Sequence, residues 1–224
     1  MLLAIDSSAG TGVALLDDAT DPAGVVLAAW HSADTRGHAE SIGTAIDSVL
    51  REAGVAPGSV DRVAVGMGPG PFTGLRVGIA AARAFALGAS ARLLPVVSHD
   101  AIAFADARAV LVVTDARRRE VYWSTYRARE EGAMSDSAAE ETASRETAAR
   151  RRITGPALAK PDELATAVDG YEHYVRLDDA RVDAGDLGRL ALAIDARGGE
   201  FATSEPLYLR SPDVTLSTPK RVAS

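Results

Sequence analysis

Three short apolar runs open the chain, and each is closed by residues that favour turns. The runs occupy 2–5, 13–16 and 25–30, and the segments between them contain Asp6-Ser7-Ser8, two glycines, Asp17-Asp18 and Asp21-Pro22. None of these intervening segments is long enough for a helix. The pattern therefore predicts three strands joined as an antiparallel meander.

From residue 38 onward the apolar positions change to a spacing of three and four. Ile42 and Ile46 belong to this series, which predicts an amphipathic helix over 38–53 that ends at Gly54. The same reasoning predicts a strand over 62–66, a helix over 73–87 between Thr73 and Gly88, a strand over 93–97, and a helix over 98–104 capped by Ser98.

The predicted fold class is α/β, with three strands followed by alternating helices and strands. This order differs from the strict alternation of a doubly wound dinucleotide fold and is typical of ribonuclease-H-like domains. Proteins of the actin, Hsp70 and sugar-kinase superfamily build two such lobes around a nucleotide cleft. A strand over 109–114 that returns over 121–126 predicts the start of a second, abbreviated lobe. We therefore expect lobes at 1–107 and 108–224.

The second lobe is less regular in sequence than the first. A polar connection rich in Glu, Ala, Ser, Thr and Arg lies near 129–152. Beyond it the pattern predicts a short helix over 161–168, a strand over 171–177 and a helix over 186–196. About a hundred residues remain for this lobe, which is why we expect it to be the smaller one.

Composition narrows the class of protein. The 224 residues are 47% apolar and 25% charged, with a net charge of −7 and no cysteine. A disulfide scaffold and a cysteine nucleophile are thereby excluded. No apolar run approaches the roughly 20 residues that cross a bilayer, and the first residues make a poor signal peptide, so we expect a cytoplasmic protein without a membrane partner. The acidic balance also argues against general polyanion binding.

Two segments carry candidate chemistry. Asp6, Ser7 and Ser8 follow the first strand, and Asp115 follows the corresponding strand of the second lobe, so the four could form a weak phosphate cleft for a nucleotide. The loop 67–78, which contains Gly68, Pro69, Gly70, Phe72, Thr73 and Gly74, joins a strand to a helix, where backbone N–H groups favour anions. Ordinary turn capping by the two acids remains equally open. For the loop, composition alone favours a tight strand-to-helix turn over an anion site.

A metal site built by this chain is not expected. His38, His99 and His173 lack a second histidine four residues on, where Ile42, Ala103 and Leu177 stand. The arginine runs 117–119 and 150–152 could touch phosphate, although a solvated surface is the simpler interpretation.

Five segments together resemble the TsaB (YeaZ) family, which works in bacterial biosynthesis of the tRNA modification threonylcarbamoyladenosine. They are LLAIDSSAGTGVALL, HAESI, GMGPGPFTGLRVGIAAARAFALG, VLVVTDARRREVYWSTY and SEPLYLR, in the order and spacing of that family. The resemblance covers roughly the first 126 residues and the last motif. Two positions depart from the family pattern. Pro71 replaces an expected serine, and no glycine follows Asp115 closely, and both changes weaken an ATPase interpretation.

The resemblance implies a scaffold without catalytic residues of its own. Such a subunit is required for threonylcarbamoyl transfer to adenosine 37 of tRNAs, pairs with the catalytic subunit TsaD and the ATPase TsaE, and meets tRNA only within the complex. It implies no tightly bound cofactor, leaves open ATP or ADP at a shared subunit junction, and leaves open a homodimer in the absence of TsaD. The alternative is a free-standing nucleotide-dependent transferase or glycoprotease-like enzyme of the same fold.

Two helices are candidates for the partner interface. In the family resemblance the helices over 38–53 and 73–87 form the face that meets the partner. The second carries a stripe of very small residues at every fourth position, which costs helix propensity. The expected interface residues are Ile42, Ile46, Gly74, Gly78 and Ala82. Close packing of this stripe on the protein's own sheet is the alternative.

Overall fold

The computed structural model describes residues 1–34, 37–129 and 151–210. In chain order its strands are β1 Leu2–Asp6, β2 Thr11–Asp17, β3 Val25–Ser32, β4 Arg62–Gly66, β5 Arg92–Val96, β6 Val110–Asp115, β7 Val121–Tyr126, β8 Arg152–Ala159 and β9 Val175–Leu177. Its helices are α1 His38–Ala53, α2 Phe72–Ala89, α3 Ser98–Phe104, α4 Leu164–Ala167 and α5 Ala184–Asp195. The α/β class expected from the sequence is confirmed.

The first sheet has the order β3-β2-β1-β4-β5. Strands β1, β2 and β3 form the expected antiparallel meander, while β4 and β5 join β1 in parallel. The central strand β1 has no exposed apolar side chain because helices cover both faces of the sheet. The carboxyl ends of β1 and β4 therefore lie side by side, and the candidate segments that follow them are neighbours.

Helix α1 has the predicted limits, whereas α2 differs at both ends. Gly54 adopts a left-handed conformation and ends α1. In α2, Pro71 occupies the N-cap position, so Thr73 lies inside the first turn, and the left-handed residue that ends the helix is Ser90. Gly88 therefore lies within the helix.

Ser98 begins α3 but does not cap it with its side chain. Val97 is the N-cap residue and makes no side-chain hydrogen bond. The Ser98 hydroxyl points instead toward the turn after β1, where it donates to Asp6. The predicted cap is therefore wrong, because a buried carboxylate competes for the same hydroxyl.

The second sheet has the order β8-β7-β6-β9. Like the first sheet, it combines an antiparallel meander with a parallel strand. Strand β8 was not predicted, since Gly155 and Pro156 interrupt its apolar pattern and its register with β7 is irregular. The strand expected over 171–177 is shorter, because residues Tyr171–His173 form a 3-10 turn. Most of the expected polar connection near 129–152 lies outside the described residues.

The two sheets and the helices stack in five layers. Helices α1 and α2 cover the outer face of the first sheet. Its inner face packs with α3, α5, and the buried side chains of Val110, Val112 and Tyr126 from the second sheet in one continuous cluster. Helix α4 covers the far face of the second sheet. The expected architecture of two lobes, the second abbreviated, is supported by this stacking.

Helix α5 crosses the expected lobe boundary. It belongs to the second part of the chain, yet it packs on β1 and β2 of the first sheet. The division into 1–107 and 108–224 therefore separates the two sheets in sequence but does not separate their cores. It stays a prediction as a division into domains.

Helix α2 is, in the described chain, the helix long and apolar enough to cross a membrane by length and composition. Core helices meet the same criterion. Leu75, Ile79 and Ala82 of α2 are buried against the first sheet, so the helix is already covered on one side by its own protein.

Candidate functional site

The turn after β1 is closed by the carboxylate of Asp6. The backbone N–H and the hydroxyl of Ser8 both donate to Asp6 Oδ1, at 2.8 and 2.7 Å, and the Ser98 hydroxyl donates to Oδ2 at 2.6 Å. Asp6 is 3% exposed. Burial raises the pKa of this carboxyl, and the hydrogen bonds from the two serines oppose that effect. All three hydrogen bonds are buried inside the protein.

The glycines of the loop after β4 allow it to pack closely on this turn. A Cβ atom at Gly70 would lie 2.8 Å from Ser8, and one at Gly74 would lie 2.8 Å from the Ser7 carbonyl oxygen. A Cβ at Gly66 or Gly78 would overlap Asp6 or Ser7. Gly74 and Gly78 lie four residues apart on one face of α2, Gly66 ends β4, and Gly70 lies in the loop between them. All four contact the Asp6–Ser8 turn. The two candidate segments found in the sequence therefore interlock.

Further hydrogen bonds fix the interlocked loops. The Ser7 hydroxyl donates to the Gly74 carbonyl at 2.8 Å, and the Gly68 N–H donates to the Ser98 hydroxyl at 3.0 Å. Thr11 Oγ1 and His38 Nδ1 form a buried hydrogen bond of 2.6 Å beneath the same loop. Sequence reasoning counted Thr11 among the hydroxyls near a phosphate cleft and did not find its hydrogen bond to His38.

The C-terminal motif 204–210 holds the loop from its outer side. The Leu207 N–H donates to the Met67 carbonyl at 2.8 Å, and the Tyr208 ring packs on Phe72 with 4.6 Å between centroids. Arg83 donates to the Ser204 carbonyl. The conformation of the loop is thus determined by contacts with segments far away in sequence.

A small cavity lies between the two candidate acids. It has a volume of about 280 Å³ and is lined by Ser8, Pro71, Asp115, Arg117, Asp179 and Arg181, together with three alanines. Ser8 and Asp115 are thereby brought to one site, whereas Asp6 and Ser7 lie behind its wall. Asp115 is 56% exposed and pairs with Arg117 at 3.3 Å. Sequence reasoning had not placed Asp179 or Arg181 here.

The cavity fits a nucleotide poorly. Its volume is below the range of about 300–1,000 Å³ typical of small-molecule sites. The Asp6 carboxylate and the Ser7 and Ser8 hydroxyls are engaged in internal hydrogen bonds. The two arginines of the lining are offset by two aspartates, Asp115 and Asp179, so the lining carries no excess positive charge for a phosphate group. Nucleotide binding at Asp6, Ser7, Ser8 and Asp115 stays a prediction.

His99 occupies the centre of the molecule. Its ring nitrogens lie 2.8 Å from the Ser124 hydroxyl and 2.9 Å from the Thr114 hydroxyl. Burial lowers its pKa to about 3, with a smaller contribution from the Arg152 charge. Among the described residues no group of three or more acidic, histidine or cysteine side chains is placed to hold a metal.

A charged group lies beside this histidine. Asp100 is 2% exposed, accepts a hydrogen bond from the Tyr126 hydroxyl at 2.8 Å, and lies 3.2 Å from the Arg152 guanidinium. Burial raises the pKa of Asp100 to about 6, while Arg152 and the Tyr126 hydroxyl lower it. The Arg152 side chain of β8 is thus paired with a residue of α3.

The arginine run 150–152 is not a solvated surface where it is described. Arg151 is fully buried, and its guanidinium donates to the carbonyls of Ala103, Asp106, Arg108 and Arg127. A planar group with five donors suits this ring of carbonyl oxygens. Arg150 lies outside the described residues. The run 117–119, by contrast, is exposed as expected.

The stripe of small residues on α2 faces the protein's own sheet. Gly74, Gly78 and Ala82 are buried, the first two against Ser7. Ile42 is 6% exposed and Ile46 packs on the same core. Gly74, Gly78 and Ala82 thus pack within this chain, as the alternative interpretation of the stripe expected. A partner contact at the five residues stays a prediction.

The fold and the interlocked loops define the class of protein. Two sheets of ribonuclease-H-like order, with an acid at the end of β1 and a glycine loop after β4, are those of an actin-like two-lobed protein. The profile of the family described as TsaD, tRNA N6-adenosine threonylcarbamoyltransferase, matches residues 31–179. The tRNA threonylcarbamoyladenosine biosynthesis protein TsaB of Escherichia coli is 30% identical over 94% of this chain and 94% of its own length.

The chain belongs to the TsaB family, within the wider TsaD family. An uncharacterised protein of Mycobacterium tuberculosis is 45% identical over 46% of this chain, and the chain spans about half the length of this relative, 48%. The structure of YeaZ from Pseudomonas aeruginosa has a TM-score of 0.68 at 28% identity and covers 93% of this chain and 99% of its own. Another P. aeruginosa structure, of an uncharacterised protein with similarity to peptidase YeaZ, has a TM-score of 0.69 at 29% identity.

Proposed function

We propose that this chain is a non-catalytic subunit required for threonylcarbamoyl transfer to adenosine 37 of tRNAs. It pairs with a TsaD-type catalytic subunit, and the ATPase TsaE joins them in the cytoplasm. The relatives named for tRNA threonylcarbamoyladenosine biosynthesis support the pathway. Catalysis is assigned to the partner because the polar side chains of the candidate site form hydrogen bonds within this chain.

The observation that supports a non-catalytic role is the interlock of the two loops. The Asp6 side chain is hydrogen-bonded to Ser8 and Ser98, and the Ser7 hydroxyl is hydrogen-bonded to Gly74. A group that handles substrate needs at least one polar atom directed at it. We infer that these motifs hold the fold together in this chain, and that any ATP or ADP binds at the junction with the partner.

A peptidase activity finds little support in the site. Ser124 and His99 form a serine–histidine pair at 2.8 Å, which is within the distance of a nucleophile and its base. Both residues are at most 1% exposed, however, and the second ring nitrogen of His99 contacts Thr114. A peptide carbonyl cannot reach a serine hydroxyl in that position, so we favour the scaffold role.

We propose that the partner contacts the exposed side of α1 and α2 in place of the buried stripe. Leu87 is 83% exposed there. A Cβ atom at Gly43 of α1 or Gly88 of α2 would lie in open space. Ala80 and Ala84, eight and four residues before Gly88 on the same face of α2, are exposed. We call Gly43, Ala80, Ala84, Leu87 and Gly88 the outer helix face. Its small side chains would let the helices of a second chain approach closely, in a complex with TsaD or in a homodimer without it.

The test is co-purification of the tagged full-length chain from its native host, combined with depletion. We expect a TsaD-type protein to co-purify and threonylcarbamoyladenosine to fall in tRNA hydrolysates when the chain is depleted, as measured by nucleoside mass spectrometry. The purified chain alone should hydrolyse neither ATP nor peptide above background. Unchanged tRNA modification after depletion would contradict the proposed pathway, and ATP turnover by the chain alone would favour the free-standing enzyme.

A further inference from the structure

The hairpin between β6 and β7 presents three consecutive arginines in a left-handed backbone conformation. Arg117, Arg118 and Arg119 have φ angles of 63°, 54° and 63°, and all three are exposed. Residues with a Cβ atom adopt this conformation rarely and at an energetic cost. A run of three therefore requires specific contacts that hold the turn.

Two contacts supply that support. The Asp115 carboxylate accepts the Arg117 N–H at 2.7 Å. The Arg210 guanidinium donates to the Ala116 carbonyl at 3.2 Å and pairs with Glu120 at the other end of the turn. Asp115 forms an ion pair with Arg117 inside the hairpin, and Glu120 forms one with Arg210 of the C-terminal motif. The segment 115–120 itself contains three arginines and two acids.

An exposed aromatic pair lies beside this turn. Phe72 and Tyr208 are 40% and 38% exposed and pack at 4.6 Å, with the Arg76 guanidinium 4.9 Å from the Phe72 centroid. Only Leu209 separates Tyr208 from Arg210, which braces the turn. Pro71, next to Phe72, and Arg117 line the same small cavity. The arginines and the aromatic pair thus belong to one stretch of surface around its mouth.

We propose that this arginine–aromatic surface, formed by Phe72, Arg76, Arg117, Arg118, Arg119 and Tyr208, binds RNA. The guanidinium groups contact phosphates, and the aromatic pair offers a platform for an unstacked base. RNA recognition commonly combines these two elements, because phosphates supply affinity and splayed bases stack on aromatic rings. The net charge of −7 disfavours binding elsewhere, so the contact is local. The inference rests on the proposed function in taking tRNA as the RNA.

The test compares two double charge reversals that change the net charge equally. Arg118→Glu with Arg119→Glu alters the proposed surface, while Arg108→Glu with Arg127→Glu alters exposed arginines at the opposite end of strands β6 and β7. Each variant is purified with its partner from the native host, and its affinity for an unmodified tRNA transcript is measured by fluorescence anisotropy at several salt concentrations. We expect the first variant to lose at least about tenfold in affinity and about 2 in the slope of log K against log salt, and the control to lose little.

The aromatic contribution has a different signature. Tyr208→Ala should lower tRNA affinity by about tenfold and leave the salt slope unchanged, because stacking releases no counterions. Circular dichroism and the thermal midpoint of each variant establish that it is folded.

The outcomes separate this inference from the proposed function. If the Arg118→Glu, Arg119→Glu variant binds both tRNA and the partner as wild type does, the surface does not bind RNA. If that variant no longer binds the partner, the surface is a protein contact and does not bind RNA. If no TsaD-type partner co-purifies with the wild-type chain, the proposed function fails, and RNA affinity is then measured on the chain alone. Equal tRNA affinity of the wild-type chain and the variant in that measurement would overturn the inference.

Discussion

The carboxylate of Asp6 accepts hydrogen bonds from Ser8 and Ser98 inside the protein. Asp6→Ala should therefore lower the free energy of unfolding by about 2–4 kcal/mol, since buried donors lose their acceptor. Urea denaturation followed by circular dichroism measures this change. Asp47→Ala is the matched control, because its carboxylate is 61% exposed on α1 and its loss should cost under about 1 kcal/mol. Equal stability of Asp6→Ala and wild type would contradict the structural role.

The pKa values of Asp100 and His99 predict opposing pH dependences of stability. Asp100 has a pKa raised from 3.8 to about 6 by burial. Because the folded protein binds the Asp100 proton more tightly than the unfolded chain does, the contribution to stability is fully present below pH 4 and is lost as pH rises through 6. The free energy of unfolding should change by about 3 kcal/mol over this range. His99 has a pKa lowered to about 3, so its contribution is present above pH 6.5 and is lost as pH falls.

Asp100→Asn separates the two effects. The variant keeps an acceptor for the Tyr126 hydroxyl but does not ionise, so its stability relative to wild type should rise as pH increases from 4 to 6. Urea midpoints at half-unit pH intervals give this difference. Arg152, which lies 3.2 Å from Asp100, lacks its carboxylate partner in the variant. A constant difference across the range would show that Asp100 does not titrate there.

At the scale of elements, local pattern predicted α1 well and α2 only in part. The apolar spacing and Gly54 determine both ends of α1 within the helix itself. The start of α2 depends on Pro71, and its small-residue stripe depends on Ser7, which is more than sixty residues earlier in the chain. A contact of that kind leaves no periodic signal in the helix. The position of Asp6 at the end of β1 was predictable, but the destination of its hydrogen bonds was not.

Two neighbouring positions on α2 distinguish the outer helix face from the core. Ala84 is exposed and Ala82 has no exposed surface. Ala84→Arg should leave the protein folded and weaken co-purification of the partner by at least about tenfold, since a charged side chain would occupy the proposed contact. Ala82→Arg should unfold the chain, because burying an unpaired guanidinium costs more than about 4 kcal/mol.

Ala165→Arg, on the exposed side of α4, is the control for both. It makes the same change of charge and size at a helix surface far from α1 and α2. Thermal denaturation and size-exclusion chromatography with the partner are measured on all three variants. A folded Ala84→Arg protein that binds like Ala165→Arg would show that the outer helix face is not the contact.

At the scale of the whole molecule, α5 joins the two sheets into one core. Leu187 and Leu190 of this helix belong to the same buried cluster as Leu2 and Leu16 of the first sheet and Val112 of the second. Sequence order predicted the helix but placed it with the second lobe. Such assignments fail because the sheet that a helix covers is determined by the most apolar open face, whatever its distance along the chain.

This arrangement predicts that the fragment 1–107 does not fold alone. Without α5, the inner face of its sheet exposes Leu2, Ala4, Ala14 and Leu16, which are fully buried in the intact chain. At about 25 cal/mol per Å² of apolar surface, exposing these four side chains costs an amount comparable to the whole stability of a small domain. We expect the fragment to lack a cooperative thermal transition by circular dichroism, and the full chain to unfold in a single one. Joining residues 180–203 to the fragment through a long Gly/Ser linker should restore cooperativity, whereas a linker of equal length carrying a scrambled 180–203 should not. A cooperative transition in the unlinked fragment would establish 1–107 as an independent domain.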